Sequence, residues 1–205
     1  MSEATVKQIV RSRYCGLRDI YVAVVTKNNE KEYVTETPVK LARALKAKIT
    51  EKWTSEKIYS DDTLEEIVPS YEGTEVEIEV ATLTPQDRAL LFGQKYENGY
   101  LLRGKEDQAP EVALGFRTKR RNGKYEFSWL YCGKFGQGVD EEFSTIEQKI
   151  EAKSNTVKGD FGERQLDGLY QISVDESNLI EEYADAKTAI TKWFEKVQEA
   201  EQAAA

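Results

Sequence analysis

From Thr74 to Val80 the chain alternates strictly, with Val76, Ile78 and Val80 on one face and Glu75, Glu77 and Glu79 on the other. A period of two belongs to a strand half-buried in a sheet, so this stretch predicts a β-strand whose outer face carries carboxylates. Asp19 to Thr26 is rich in β-branched and aromatic residues and stops at Lys27-Asn28-Asn29-Glu30, which predicts another strand and a polar turn. Val39 to Trp53 fits two periods at once. Leu41, Leu45, Ile49 and Trp53 recur at i+4 as on a helix, yet Leu45, Ala47, Ile49 and Trp53 also alternate with Lys46, Lys48, Thr50 and Lys52. Further strands are expected over residues 146–157 and from Leu169 to Val174.

Local signals add helices and turns. Thr84-Pro85-Gln86-Asp87 supplies an N-cap hydroxyl, a proline at the first helical position and an acid at N3, and Gly93 closes the apolar run, so a helix of about two turns is expected. Asn98-Gly99 and Asn122-Gly123 each predict a type I′ hairpin turn, because both central residues of that turn need positive φ. For the second hairpin, placing Arg121 opposite Lys124 pairs Thr118 with Phe127, Phe116 with Trp129, Leu114 with Tyr131 and Lys119 with Glu126. In that register the stripe Tyr125, Phe127, Trp129 and Tyr131 faces Leu114 and Phe116 as a sandwich core, in preference to a stacking platform for single-stranded nucleic acid. Beyond Asn178, the recurrence of Leu179, Tyr183, Ala186, Ile190, Trp193 and Val197 at three and four predicts a C-terminal amphipathic helix over 178–200, capped by Asn178 and Glu181. With no solenoid-length repeat and no linker, residues 1–205 read as one mainly β domain of sandwich type with two helices.

Composition narrows the chemistry. The chain has no histidine, which removes Ser-His-Asp and Cys-His nucleophiles, imidazole bases and most zinc sites. Cys15 and Cys132 stand far apart without a C-x-x-C partner and are expected to be reduced thiols in a cytosolic setting. No apolar run reaches bilayer length and the first residues lack the apolar core of a secretory signal, so no membrane is expected. Gly133, Gly136 and Gly138 form G-x-x-G-x-G without a Gly-Lys-Ser/Thr ending, which fits a bent strand connection better than a phosphate cradle. The 37 acids give chance carboxylate pairs in plenty, but no spacing singles out the acid and base of a hydrolase; no catalytic, cofactor-binding or metal-binding residue is therefore assigned.

Charge is unevenly spread. Between Ser60 and Gln86 lie Asp61, Asp62, Glu65, Glu66, Glu72, Glu75, Glu77 and Glu79 with no base, whereas Val112 to Tyr125 holds five bases and no acid. Each run reads as a solvated face, or as one half of a head-to-tail contact between copies. A net charge of −8 makes the chain a poor candidate for gripping nucleic acid, because such affinity rests on neutralising phosphates.

The run Ala44-Leu45-Lys46-Ala47-Lys48-Ile49-Thr50-Glu51-Lys52-Trp53, then Tyr59-Ser60-Asp61-Asp62, then Tyr71 to Val80 resembles the major tail proteins of long-tailed phages with non-contractile tails. Leu91-Phe92-Gly93, Ala113-Leu114-Gly115-Phe116, Trp129-Leu130-Tyr131 and Asn155 to Gly159 continue the likeness over almost the whole chain. The resemblance implies a β-sandwich subunit, assembled in the host cytoplasm into six-fold rings that stack as the tail tube of the virion. Its implied partners are itself, the tape-measure protein, and the tail terminator and distal tail or baseplate proteins, with DNA passing through without specific binding. It also implies that a long loop around Thr54 to Tyr71, carrying Asp61, Asp62, Glu65 and Glu66, reaches the adjacent ring, that Leu45 to Trp53 is a strand, and that Glu75, Glu77 and Glu79 line the lumen. The alternatives are a tube protein of a contractile tail or injection machine and, in a different class, a carboxylate hydrolase on a β-sandwich.

Overall fold

The computed structural model describes residues 9–41, 43–60, 63–136, 138–139, 141 and 154–199. The chain is mainly β. In order it forms β1 (Tyr14–Asn28), β2 (Tyr33–Thr35), β3 (Val39–Lys40), β4 (Ala44–Ser60), β5 (Thr63–Val80), α1 (Pro85–Phe92), β6 (Lys95–Glu97), β7 (Tyr100–Leu102), β8 (Val112–Arg120), β9 (Tyr125–Phe135), β10 (Asn155–Gly162), β11 (Gln171–Asp175) and α2 (Ala184–Thr191). The expected strand over 146–157 is present from Asn155 onward, and its first part, 146–153, lies outside the described residues.

Nine strands make one antiparallel sheet in the order β2-β1-β8-β9-β10-β5-β4, with β3 added to β1 and β11 to β9. The sheet curls on itself. The segment leaving β3 on the edge of β1 runs directly into β4 at the far end, and the Leu41 amide donates to the Ile20 carbonyl at 2.9 Å. Val76, Ile78 and Val80 of β5 thereby meet Ile20 and Val22 of β1 and Val112, Leu114 and Phe116 of β8 in one buried cluster, closed at its end by Leu91 and Phe92 of α1. α1 keeps the expected signals: Thr84 and Asp87 form a reciprocal capping box, and Gly93 ends the helix in the left-handed region.

The alternation of β5 is confirmed, with Val76, Ile78 and Val80 buried and Glu75 and Glu77 exposed. Val39–Lys40 and Ala44 to Trp53 resolve as strands. The i+4 set of the helical alternative is scattered: Leu41 is 4% exposed, Leu45 is 58% exposed at a bulge, and Ile49 packs against the core.

Two expectations are corrected. The β8–β9 register is one residue away from the one predicted, pairing Lys119 with Tyr125, Arg117 with Phe127, Gly115 with Trp129 and Leu114 with Leu130. Gly123 has φ +87 while Asn122 does not have positive φ, so the turn is not type I′. The Arg120 amide donates to the Lys124 carbonyl at 2.8 Å, and the loop holds three residues, not two. One residue of slip exchanges the faces. Leu114 and Phe116 join the inner cluster, and Phe127, Trp129 and Tyr131 face the other side, where they form a second core with Ala23, Tyr33, Trp193 and Val197.

The second correction concerns the C-terminal helix, which is shorter than 178–200. Only Ala184–Thr191 is α-helical; Glu176–Asn178 is a 3-10 turn, and the chain beyond Thr191 proceeds in turns. Asn178 does not cap a helix but accepts from the Val10 amide at 2.9 Å. The tail is shaped by its docking: the Trp129 indole donates to the Trp193 carbonyl and the Tyr131 hydroxyl to the Gln198 carbonyl, both at 3.1 Å.

Candidate assembly surface

β4 and β5 are the longest strands, and only their inner halves belong to the body. β10 leaves β5 at the Phe161–Thr74 pair; beyond it β4 and β5 continue alone, pairing Trp53 with Tyr71, Ser55 with Pro69, Lys57 with Ile67 and Tyr59 with Leu64. The region expected as a loop around Thr54 to Tyr71 is therefore a two-stranded ribbon, projecting about 25 Å at the rise of a strand. Asp61 and Asp62 lie outside the described residues, and Glu65 and Glu66 are exposed on the outer part of the ribbon. Its sequence hides the strands because β5 is bulged: Glu72 is an extra residue at one break in register and Glu65 at another.

The ribbon has two unlike faces. Counting along β4, which is regular from Lys46 on, Trp53, Ser55, Lys57 and Tyr59 continue the side on which Ile49 faces the core. Directly opposite them stand Tyr71, Pro69, Ile67 and Leu64, so an apolar strip extends the core face beyond the body. That strip is uncovered: Trp53 is 50%, Tyr59 61%, Leu64 43% and Ile67 51% exposed. A two-stranded ribbon is marginal by itself, and a contiguous exposed apolar strip marks a surface that meets something. Among the described residues β4 pairs with β5 alone, so its other edge presents an unpaired row of backbone donors and acceptors.

The outer face of the body below the ribbon is not the bare acidic wall read from β5 alone. Register places Lys46 beside Glu79, Lys48 beside Glu77 and Thr50 beside Glu75, while Lys52 binds the Glu75 carboxylate. On the other side of β5, Thr156, Lys158 and Asp160 of β10 stand beside Glu79, Glu77 and Glu75, and Lys134 of β9 is opposite Asp160. The face thus carries Lys46, Lys48, Lys52, Lys134 and Lys158 against Glu75, Glu77, Glu79 and Asp160, a near-balanced lattice. Cross-strand order that no linear reading supplies puts the lysine column next to the glutamate column.

The basic run is likewise less available than its sequence implies. Arg117 binds Asp19 at 2.5 Å, Lys124 binds Glu176 at 2.8 Å, and Arg120 contacts Glu126 as well as Asp175 at 3.1 Å. Gly133 and Gly136 lie in and just after β9, where the Gly136 amide donates to the Lys158 carbonyl at 2.6 Å. Both cysteines are free, and burial followed by the Glu111 carboxylate, which accepts from Cys132 Sγ at 2.6 Å, pushes the Cys132 thiol well up. A scan against family models finds no match for this chain, and neither does a comparison with curated protein sequences.

Proposed function

We propose that the chain is a structural subunit that polymerises with itself into stacked hexameric rings, forming the tail tube of a phage with a non-contractile tail. In the virion the tube surrounds the tape-measure protein, joins the tail terminator and the distal tail or baseplate proteins, and conducts DNA into the host without specific binding. One observation supports self-association above the rest: an amphipathic ribbon leaves the body with its apolar strip uncovered, beside a β4 edge that no described strand pairs. Strand edges and apolar strips are the surfaces by which identical β subunits join. The sequence resemblance supplies the rings, the tube and the partners. In this reading Glu75, Glu77 and Glu79 line the bore together with the lysines between them, and the ribbon with Glu65 and Glu66 reaches the adjacent ring.

The proposal is tested at the ribbon. Replacing residues 55–70 by an Asn-Gly turn leaves a folded monomer with unchanged near-ultraviolet circular dichroism that does not polymerise. Tubes formed by that variant contradict the assignment of the ribbon as the assembly arm, and so does unfolding of the body.

A further inference from the structure

The ribbon leaves the body at a built joint. At its root Gly73 has φ +141, a value L side chains rarely adopt, and a Cβ there would lie 3.2 Å from the Phe161 carbonyl. Glu72 is the extra residue of the bulge, and the Thr54 hydroxyl binds its carboxylate. A bulge bends and twists its ribbon, so the chain changes direction here. Three aromatic rings bracket the bend. Trp53 meets Tyr71 edge to face at 5.4 Å, and Tyr71 stacks on Tyr170 with centroids 4.3 Å apart and planes 18° from parallel. Tyr170 belongs to the body, since its carbonyl accepts from the Tyr131 amide at 3.0 Å. The Tyr71 hydroxyl shares a 2.7 Å hydrogen bond with the hydroxyl of Thr74, a residue only 2% exposed.

We propose that this joint is an aiming elbow, in which Tyr170 of the body stacks on Tyr71 and sets the angle at which the apolar strip of the ribbon is presented to a second copy of the chain. Leverage makes the stack matter. On an arm of about 25 Å, a tilt of about 10° moves the tip by about 4 Å, close to the spacing between paired strands. Tyr170 is thus a positioning residue, acting through Tyr71 at the base of the strip and not at the contact surface itself. The partner in this inference rests on the proposed self-assembly; the elbow itself does not.

The test separates the two. Nitroxides placed at Glu66→Cys on the ribbon and Glu30→Cys on the body, in a Cys15→Ser background with Cys132 buried, give a distance distribution for the monomer by pulsed dipolar spectroscopy. The expected result is one narrow distribution for the otherwise unaltered chain and for Tyr170→Phe, which keeps the stack. Tyr170→Ala gives a displaced or much broader one, and its assembly begins at about two- to tenfold higher concentration, the range set by the loss of one aromatic pair. If Tyr170→Ala fails to fold, Tyr170→Leu fills the space without an aromatic face and carries the same expectation. A distribution identical to that of the unaltered chain overturns the elbow. If no variant assembles, the distances still decide the elbow, while the proposed self-assembly fails.

Discussion

Gly115 stands opposite Trp129, and a Cβ on it would lie 2.6 to 2.7 Å from three atoms of the indole. Trp129 is fully buried and cannot retreat without disturbing both strands, so Gly115→Ala is expected to destabilise the fold by about 1 to 3 kcal/mol, read as a lower urea midpoint at unchanged slope. Arg164 is the other residue on which much converges. Its side chain is 3% exposed, forms ion pairs with Asp167 at 2.6 Å and Glu199 at 3.0 Å, and lies 4.2 Å from the centre of the Tyr131 ring. The hydrogen bond from Arg164 holds the Asp167 carboxyl below its ordinary value. A depressed carboxylate stabilises the fold above its unfolded pKa of about 3.9 and loses that contribution as pH falls through the folded value. Asp167→Asn is expected to lower stability at neutral pH by about 1.5 to 3 kcal/mol and to flatten the decline below about pH 4, measured by denaturation across pH. A sequence shows none of this convergence, since Tyr33, Tyr131, Arg164 and Glu199 meet only through the fold.

At the scale of elements, legibility followed locality. The cap of α1 and the Asn98-Gly99 turn were readable because each is decided within a few residues; Asn98 and Gly99 have φ +52 and +84, as a type I′ turn requires. Asn122-Gly123 carries the same dipeptide yet makes a three-residue loop. The Arg121 amide donates to the Arg13 carbonyl at 2.9 Å and the Asn122 amide to the Ser12 hydroxyl at 3.2 Å, so a distant segment holds this turn. The C-terminal pattern misled for a related reason. The spacing of Trp193 and Val197 predicts one stripe of a long helix, whereas both dock into the aromatic core behind β9 through a segment shaped by tertiary bonds. Trp193→Ala is expected to destabilise the protein by about 3 to 5 kcal/mol, with loss of the near-ultraviolet signal of Trp129 before the sheet melts. A loss below 1 kcal/mol means that the tail only decorates the surface.

For the whole molecule, the alternation in β5 identified its buried face, but the character of the other face depended on partners from β4, β9 and β10. The lattice of lysines and carboxylates changes the expectation for DNA. Glu75 binds Lys52, and Glu77 and Glu79 stand beside Lys48 and Lys46 across the strands, so in the proposed tube the acidic residues of this face would act by offsetting lysines as well as by repelling phosphates. Changing all three to Gln is expected to produce DNA retention in low salt that vanishes steeply as salt rises, whereas the unaltered chain retains none; equal behaviour of the two chains in a filter assay refutes this role of the face. The proposed assembly makes a single requirement of the ribbon and of the β4 edge that no described strand pairs, that copies of the chain join through them. Negative-stain electron microscopy of the purified full chain over rising concentration measures it most directly. Rings with six-fold symmetry and an open bore, stacking into tubes, are the expected result, and a protein that stays monomeric at every concentration with its ribbon intact contradicts the account.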